Sequence, residues 1–176
     1  MKRKTFAIAA ALLVLLFGGV LAWANHPDAP PLPSDARADL VRVDKGARTL
    51  TLLRDGRPLK TYRVSLGGAP RGHKRQEGDE RTPEGRYLLD YRNPHSFAHL
   101  SLHVSYPDSS DQARARAAGV PPGGMIMVHG LRDGLGWMGR LHRLVDWTDG
   151  CIAVTNAEMD EIWRAVPDGT PIEIRP

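Results

Sequence analysis

Closely spaced turn signals between short alternating runs are the feature that most restricts how this chain can fold. From Leu40 to Asp44, valines alternate with other residues, which is the period-two pattern of a strand with one buried face. Further runs of this kind cover 49–54 and 59–66, and Asp55-Gly56 between them is typical of a tight hairpin turn. A chain with such short connections must form an antiparallel meander, so the sequence predicts a β-rich domain.

The rest of the chain adds more strands and few helices. Strands are predicted at 86–91, 99–106, 125–128, 151–154 and 171–175. A short helix is predicted at 109–118, with its N-cap at Ser109 or Ser110, and the last helix begins at a capping box that starts with Thr155. The charged stretch 71–81 is predicted to be a long surface loop. Because helices and strands do not alternate, the predicted class is β-rich α+β.

The N-terminus carries the pattern of an export signal. Basic residues at 2–4 precede an apolar run at 6–20, and Ala22-Trp23-Ala24 fits the small-x-small pattern that signal peptidase accepts. The alternative is an uncleaved anchor, since residues 6–24 are just long enough to cross a bilayer. Either interpretation assigns residues 1–24 to targeting and exports the remainder to the periplasm or cell envelope. Contact with a membrane is expected only through this segment, if it is not cleaved.

A proline-rich spacer is predicted at 25–37, because its four prolines favour an extended, semi-rigid path. Residues 38–176 then have the length of one domain. Three of the 24 basic residues and none of the 20 acidic residues lie in the first 24 positions, so the domain itself is close to neutral. Such a charge balance gives no support for a nucleic-acid partner.

Cys151 is the single cysteine of the chain. A lone cysteine can be a small buried apolar residue, but an unpaired thiol is a liability in an oxidising compartment, which favours a chemical role. Gly150 lets the backbone approach closely and would leave two successive N–H groups to face a developing oxyanion. The sequence therefore favours Cys151 as a nucleophile seated at the start of a strand.

His129 is the predicted base among the seven histidines. It follows the short apolar strand predicted at 125–128, which would hold its ring rigidly, and Gly130 leaves the backbone free to bend. A backbone carbonyl beside the ring could fix the imidazole tautomer, which is the orienting role of Asp in other triads. The other histidines, including His142 in a basic segment, are interpreted as structural or surface residues, although any of them could touch substrate.

These residues resemble the signature of the L,D-transpeptidases, the YkuD-like family. His129-Gly130, then residues 148–152 (Thr-Asp-Gly-Cys-Ile) and Asn156, follow the family order of His, spacer, Ser/Thr-x-Gly-Cys and a nearby Asn. Residues 82–87 (Thr-Pro-Glu-Gly-Arg-Tyr) are similar to the family's Thr-Pro-x-Gly-x-aromatic element. Each piece is weak alone, but their joint order in an exported chain with one cysteine is specific.

The resemblance implies a mixed β-sandwich of the L,D-transpeptidase type, with Cys151 and His129 at one edge. It implies acyl transfer on the tetrapeptide stems of peptidoglycan, through a thioester on the third residue and loss of the terminal D-alanine. The acceptor would be an amine of another stem, giving a 3→3 cross-link, or of a wall-linked protein. Gly150, Gly130 and Thr148 are assigned oxyanion or orienting roles. No metal or organic cofactor is implied.

Two departures from the family pattern leave the acceptor open. Asp149 stands where the family often has His or Arg, and Ala153 stands where it often has Arg. A carboxylate beside the thiol disfavours the thiolate unless a cation compensates, for which Arg140 and Arg143 are candidates. If water resolves the thioester, the protein is a carboxypeptidase or amidase. A third interpretation is a non-catalytic wall-binding module.

A lid is predicted between Trp137 and Trp147. Three glycines (Gly134, Gly136 and Gly139) allow hinge-like changes, and the two tryptophans offer flat faces to a stem peptide. Arg140 and Arg143 would pair with stem carboxylates, and Asn156 is a further candidate substrate contact. The alternative is that the tryptophans fill the core and the arginines are solvated.

Overall fold

The computed structural model describes the backbone of residues 2–176 and the side chains of residues 11–176. In chain order its elements are α1 (Lys2–Asn25), β1 (Leu40–Asp44), β2 (Thr49–Arg54), β3 (Arg57–Arg63), β4 (Gly85–Ser96), β5 (His99–Val104), α2 (Ser109–Ala118), β6 (Met127–His129), a 3-10 helix (Gly136–Leu144), β7 (Ile152–Ala153), α3 (Asn156–Ala165) and β8 (Thr170–Arg175). The predicted basic region at residues 2–4 lies outside the part described with side chains. Within the described residues, no helix has the length and apolar character needed to span a membrane.

The described strands form one mixed sheet in the order β3-β2-β1-β8-β4-β5-β6-β7. The turn between β2 and β3 is the predicted hairpin, with positive φ at both Asp55 (51°) and Gly56 (73°). Strand β8 lies parallel to β1 and antiparallel to β4, and β6 and β7 are parallel. The prediction of a β-rich α+β class is therefore confirmed.

The sheet curls until its two ends meet. Beyond β3, Ser65 forms an antiparallel bridge with Ala153 of β7, and Gly67 forms a parallel bridge with Thr148. Ser65 N–H donates to the Ala153 carbonyl at 3.0 Å, and Ala153 N–H donates back at 2.9 Å. Because the curled sheet encloses its apolar face between two layers, the core is sandwiched as the resemblance predicted. Val41, Leu52 and Ile152, from β1, β2 and β7, are fully buried within it.

Helix α3 packs on the core through the face that its periodicity predicts. Met159 and Ile162 are fully buried, and Trp163 packs partly against the core. Thr155 Oγ1 accepts the N–H of Glu158, and the Glu158 carboxylate accepts the N–H of Thr155, so the predicted capping box is present.

Several local boundaries differ from the predicted ones. Helix α2 is capped by Asp108 and not by Ser109 or Ser110, because Asp108 and Asp111 each accept the other's backbone N–H. The predicted strand at 125–128 is found at 127–129, so His129 belongs to β6. The predicted strand at 151–154 contracts to two residues, since Cys151 still lies in the preceding turn.

Residues 25–37 pack against the domain and do not extend away from it as a free spacer. Leu32 is buried, and Lys60 Nζ donates to the Pro30 carbonyl at 2.8 Å. The carboxylate of Asp28 pairs with both Arg140 and Arg143. The prolines favour an extended backbone, but the apolar and acidic residues between them give the segment contacts that hold it on the surface.

Candidate active site

The thiol of Cys151 lies in the turn that leads into β7 and is partly buried. Its Sγ accepts the backbone N–H of Met127 at 3.4 Å and lies 3.6 Å from the Met125 carbonyl oxygen, to which it donates. Burial raises the pKa of the Cys151 thiol; the Met127 hydrogen bond lowers it, Asp149 raises it and Lys74 lowers it. The net shift is upward, so the resting group is a neutral thiol.

Thr148 and Gly150 shape the turn that presents this thiol. Thr148 Oγ1 donates to the Cys151 carbonyl at 2.8 Å and accepts the Gly150 N–H at 3.2 Å. Gly150 has φ 120°, and a Cβ at this position would lie 2.5 Å from the Arg81 carbonyl oxygen. The turn therefore requires glycine. In this conformation the Gly150 N–H is bonded to Thr148, so its expected role towards an oxyanion stays a prediction.

His129 ends β6 with its ring buried. Its Nδ1 lies 2.6 Å from the carbonyl oxygen of Gly130. Because a carbonyl can only accept, Nδ1 carries the proton and Nε2 is left with a free lone pair. Burial lowers the pKa of His129; the Gly130 hydrogen bond raises it and Arg132 lowers it, with a net downward shift. A neutral imidazole with a bare Nε2 is the form that a general base requires.

The pairing of β6 with β7 relates this imidazole to the thiol. His129 lies opposite Ala153 in the parallel register, two positions beyond Cys151 along the neighbouring strand. For regular strands such a diagonal corresponds to about 8 Å between Cα atoms, which His and Cys side chains together can span. The register thus brings the end of β6, which carries His129, beside the strand that Cys151 precedes, and the catalytic roles of the two residues stay a prediction.

Asn156 holds the backbone that follows His129. Its Oδ1 accepts the N–H of Leu131 at 2.8 Å. A Cβ at Gly130 would lie 2.8 Å from Asn156 Oδ1, and a Cβ at Gly136 would lie 2.8 Å from Asn156 Nδ2. The sequence predicts a substrate contact for Asn156, whereas its polar atoms lie against these two loop segments. Its position is that of a brace for the loop carrying the imidazole.

Only one of the two predicted lid tryptophans lies beside His129. The ring of Trp147 meets the His129 ring edge-to-face, with centroids 5.9 Å apart, and its Nε1 donates to His142 Nδ1 at 3.4 Å. Trp137 is 52% exposed. Most of the predicted lid forms the 3-10 helix, which is broken at Gly139 (φ 47°).

Arg140 and Arg143, which are predicted to pair with substrate carboxylates, have acidic partners within the chain. Both bind the carboxylate of Asp28, and Arg143 also binds Glu158 at 2.6 Å. The Arg140 guanidinium lies over the ring of Trp23, 4.5 Å from its centroid. The sequence does not predict this arrangement, because Asp28 and Trp23 lie in the segments interpreted as spacer and signal.

A polar cleft beside the thiol contains a residue that sequence reasoning did not single out. Lys74 is buried, and its Nζ donates to Asp79 at 2.8 Å and to the Gln76 carbonyl at 3.1 Å. With Glu77 and Asp149, it lines a cleft that also includes residues 121–125. The charged loop 71–81 was predicted from the sequence, but nothing in its pattern indicated that Lys74 would be buried near the thiol. Among residues 11–176, no three His, Cys, Asp or Glu side chains are grouped as metal ligands.

Comparison with known proteins identifies the family. The model of the L,D-transpeptidase catalytic domain (YkuD) matches residues 38–174. The chain belongs to this family. The L,D-transpeptidase domain therefore accounts for nearly all of the sequence after the predicted spacer. YafK of Escherichia coli K12, whose name places it provisionally among the L,D-transpeptidases, is 25% identical over 178 residues. The match covers 93% of this chain and 64% of YafK, so the chain spans less than two thirds of that relative.

Two solved structures share the fold. The helical cell shape determining protein Pgp2 of Campylobacter jejuni is 25% identical, with a TM-score of 0.60 over 89% of this chain and 54% of Pgp2. Bd1075 of Bdellovibrio bacteriovorus is 24% identical, with a TM-score of 0.55 over 82% of this chain and 50% of Bd1075. The chain thus spans about half of each of these proteins.

Proposed function

We propose that this L,D-transpeptidase domain is a cell-wall cysteine acyltransferase that acts on peptidoglycan tetrapeptide stems, with Cys151 as nucleophile and His129 as base. The observation that supports the proposal is the pairing of β6 with β7, in which His129, with its tautomer held by the Gly130 carbonyl, lies opposite Ala153, two positions after the single cysteine. The family match supports peptidoglycan as the substrate class. Export to the periplasm or cell envelope, directed by residues 1–24, follows from where that substrate lies.

The first half-reaction releases the terminal D-alanine. Nε2 of His129 takes the thiol proton as Sγ of Cys151 bonds to the carbonyl carbon of the third, diamino-acid residue. The tetrahedral intermediate then collapses, the carbon–nitrogen bond to D-alanine breaks, and the imidazolium returns the proton to the leaving amine. Because burial favours the neutral form of both groups, proton transfer is expected to await a bound substrate carbonyl.

The second half-reaction transfers the acyl group from the thioester to an amine. An amine of a second stem gives a 3→3 cross-link, and an amine of a wall protein gives a stem–protein link. In each case the carbon–sulfur bond breaks, and the proton lost by the attacking amine passes through His129 to the departing thiolate. No atom changes its oxidation state in either half-reaction.

Hydrolysis by the same site is the second candidate, and the positions of two arginines favour it. Arg140 and Arg143 were the lid cations expected to hold the carboxylates of an acceptor stem. Both are occupied by Asp28, and Arg143 also by Glu158. A lid without free guanidinium groups gives an acceptor peptide less to bind, so water would resolve the thioester. The protein would then be an L,D-carboxypeptidase or an amidase.

A single assay distinguishes these outcomes. The protein and its Cys151→Ser variant are incubated with a disaccharide tetrapeptide, with and without an amine acceptor, and the products are identified by mass spectrometry. A cross-linked dimer supports the acyltransferase, and tripeptide with free D-alanine alone supports the hydrolase. If the folded protein gives no more product than Cys151→Ser under either condition, the enzymatic proposal is wrong.

A further inference from the structure

Lys74 is a buried cation in the charged loop at 71–81. The residue is 3% exposed, and its Nζ donates to the Asp79 carboxylate at 2.8 Å and to the Gln76 carbonyl at 3.1 Å. The same carboxylate accepts the backbone N–H groups of three residues of the loop, so the loop is organised around this ion pair. An ammonium group has three N–H donors, and the hydrogen bonds within residues 11–176 use two of them.

The loop packs directly on the turn that presents the thiol. A Cβ at Gly150, the residue before the cysteine, would lie 2.5 Å from the Arg81 carbonyl oxygen. On its other side the loop meets residues 121–124, where a Cβ at Gly123 would lie 3.4 Å from Cε of Lys74. The ammonium end of Lys74 is therefore held between the loop and these residues.

The cleft that Lys74 lines adjoins the sulfur atom. Asp149, two positions before Cys151, and Met125 line the same cleft. The carbonyl of Met125 accepts the thiol proton of Cys151, with the sulfur 3.6 Å from the oxygen. The cleft thus places a buried ammonium and a carboxylate beside the residue whose carbonyl contacts the thiol.

These two opposite charges both act on the thiol. Burial raises the pKa of Cys151 most and a backbone hydrogen bond lowers it; the Asp149 carboxylate then raises it and the Lys74 ammonium lowers it. Glu77, which lines the cleft as well, is exposed to solvent, and His129 on β6 is neutral at rest. The charges that matter at the thiol therefore come from its own turn and from the loop.

The cations that the sequence offered to offset Asp149 are paired elsewhere. Arg140 and Arg143 both bind the carboxylate of Asp28. Lys74 lies in the cleft instead, and a nearby lysine is one of the groups that favour a thiolate over a thiol. The requirement for a compensating cation is thus met by a residue from the charged loop.

We propose that Lys74 is the cation that stabilises the Cys151 thiolate against the opposing charge of Asp149. When Nε2 of His129 takes the proton from Sγ, the negative charge left on sulfur is attracted by the ammonium and repelled by the carboxylate. Lys74 acts through space on the sulfur and is not assigned a contact with the substrate. This inference rests on the proposed function and extends it to the group that makes the thiol reactive.

The rate at which iodoacetamide alkylates the thiol measures its ionisation and needs no substrate. Cys151 is the single cysteine, so the mass of the intact protein reports this one reaction. At neutral pH, Lys74→Met should slow alkylation about three- to tenfold and move the pH profile upwards. Lys74→Arg keeps the charge and should restore most of the rate, and Asp149→Asn should raise the rate above that of the unmodified protein.

Lys45→Met is the matched control for damage to the loop. The Lys45 side chain is 2% exposed and pairs with Glu84 at 2.8 Å, and its Nζ also donates to the carbonyls of Gly72 and Thr82, at the two ends of the same loop. It does not line the cleft. We expect Lys45→Met to leave the alkylation rate unchanged. Equal slowing in Lys45→Met and Lys74→Met would mean that the loop's structure, and not the charge, governs the thiol, which overturns the inference.

Two further measurements complete the test. If circular dichroism shows that Lys74→Met does not fold, Lys74→Gln replaces it, because its amide can still donate to Asp79. Asp149 is exposed, so Asp149→Asn should fold in any case, and an unchanged alkylation rate in that variant overturns the inference.

Release of D-alanine by the same variants separates this inference from the proposed function. Turnover together with an alkylation rate that does not depend on Lys74 removes Lys74 from the site and leaves the acyltransferase proposal standing. An alkylation rate that depends on Lys74 and Asp149 as expected, without turnover of any stem peptide, supports the charge effect on the thiol and contradicts the proposed function.

Discussion

Nδ1 of His129 lies 2.6 Å from the carbonyl oxygen of Gly130, the next residue in the chain. This contact fixes the imidazole tautomer without a carboxylate. A neutral carbonyl stabilises the imidazolium less than an aspartate would, so the ring gains an oriented lone pair and little added basicity. The proposed base is therefore held by its own backbone, and its orientation depends on the local conformation at residues 129–131.

Replacing His129 with Ala should lower kcat/KM on the order of 10²-fold or more, because general acid–base catalysis is lost. His142→Ala should cost much less, since His142 contacts Ser65 and Trp147 and not the reacting groups themselves. Steady-state kinetics on the two variants, with circular dichroism to confirm folding, makes the comparison. If His142→Ala proves the more damaging of the two, the base has been assigned to the wrong histidine.

Gly150→Ala should impair both folding and turnover. The new Cβ would meet the Arg81 carbonyl at 2.5 Å and would also require φ near 120°, so we expect a loss of about 2–4 kcal/mol in unfolding free energy. Gly134→Ala is the matched control, because φ is 79° there but no atom lies within 4 Å of the added Cβ. Urea unfolding gives the free energy of unfolding of both variants. Equal losses would show that backbone conformation alone, and not the close approach of Arg81, requires glycine at 150.

Stability should fall in mild acid because His142 is buried in its neutral form. Burial, followed by the charges of Arg143 and His129, lowers the pKa of His142 to about 3. The unfolded state takes up a proton below about pH 6.5, whereas the folded state does not, so unfolding becomes easier as the pH falls from about 7 towards 3. At pH 5 this group alone should cost about 2 kcal/mol.

Urea unfolding at pH 7.5 and pH 5.0 measures this loss. His142→Gln cannot titrate and should show a smaller difference between the two pH values, by about 2 kcal/mol. His26→Gln, which replaces an exposed histidine, should behave like the unmodified protein. A pH difference that His142→Gln leaves unchanged would show that other groups cause the acid sensitivity.

Asp28→Asn should weaken the attachment of residues 25–37 to the 3-10 helix. The pKa of Asp28 lies below its ordinary value: burial raises it, and the hydrogen bonds and charges of Arg143 and Arg140 more than offset this. Because Asp28 is 39% exposed in these pairs, we expect a coupling of only about 0.5–1 kcal/mol with each arginine. Double-mutant cycles with Arg140→Ala and Arg143→Ala measure this coupling from the free energies of unfolding of the single and double variants. Additive effects in both cycles would mean that the ion pairs do not hold the segment.

The sequence predicted those parts of the fold that depend on interactions between residues close together in the chain. The Asp55-Gly56 turn and the Thr155–Glu158 capping box each involve residues at most three positions apart, and both are present. The Asp108 cap of α2 was missed although it is equally local, because two serines one and two positions further along offered the same chemistry. The choice depended on which side chain could accept the N–H of Asp111.

Contacts between distant segments account for what the sequence did not reveal at the site. Asp28 and Arg140 are separated by 112 positions, so no periodicity could indicate that the lid arginines are already paired. The Gly150 N–H was expected to be free, and only the turn geometry shows that Thr148 occupies it. The order of His129 and Cys151 along the chain predicted two candidate residues, while the parallel register that relates them follows from the folded sheet.

The position of β8 has a consequence for the timing of synthesis. This strand lies between β1 and β4, so it joins the β1–β3 meander to the strands that carry the site. Neither half can complete its hydrogen bonding until residues 170–175 have left the ribosome, and such long-range pairing makes folding slow. Until then, the facing edges of β1 and β4 remain unpaired.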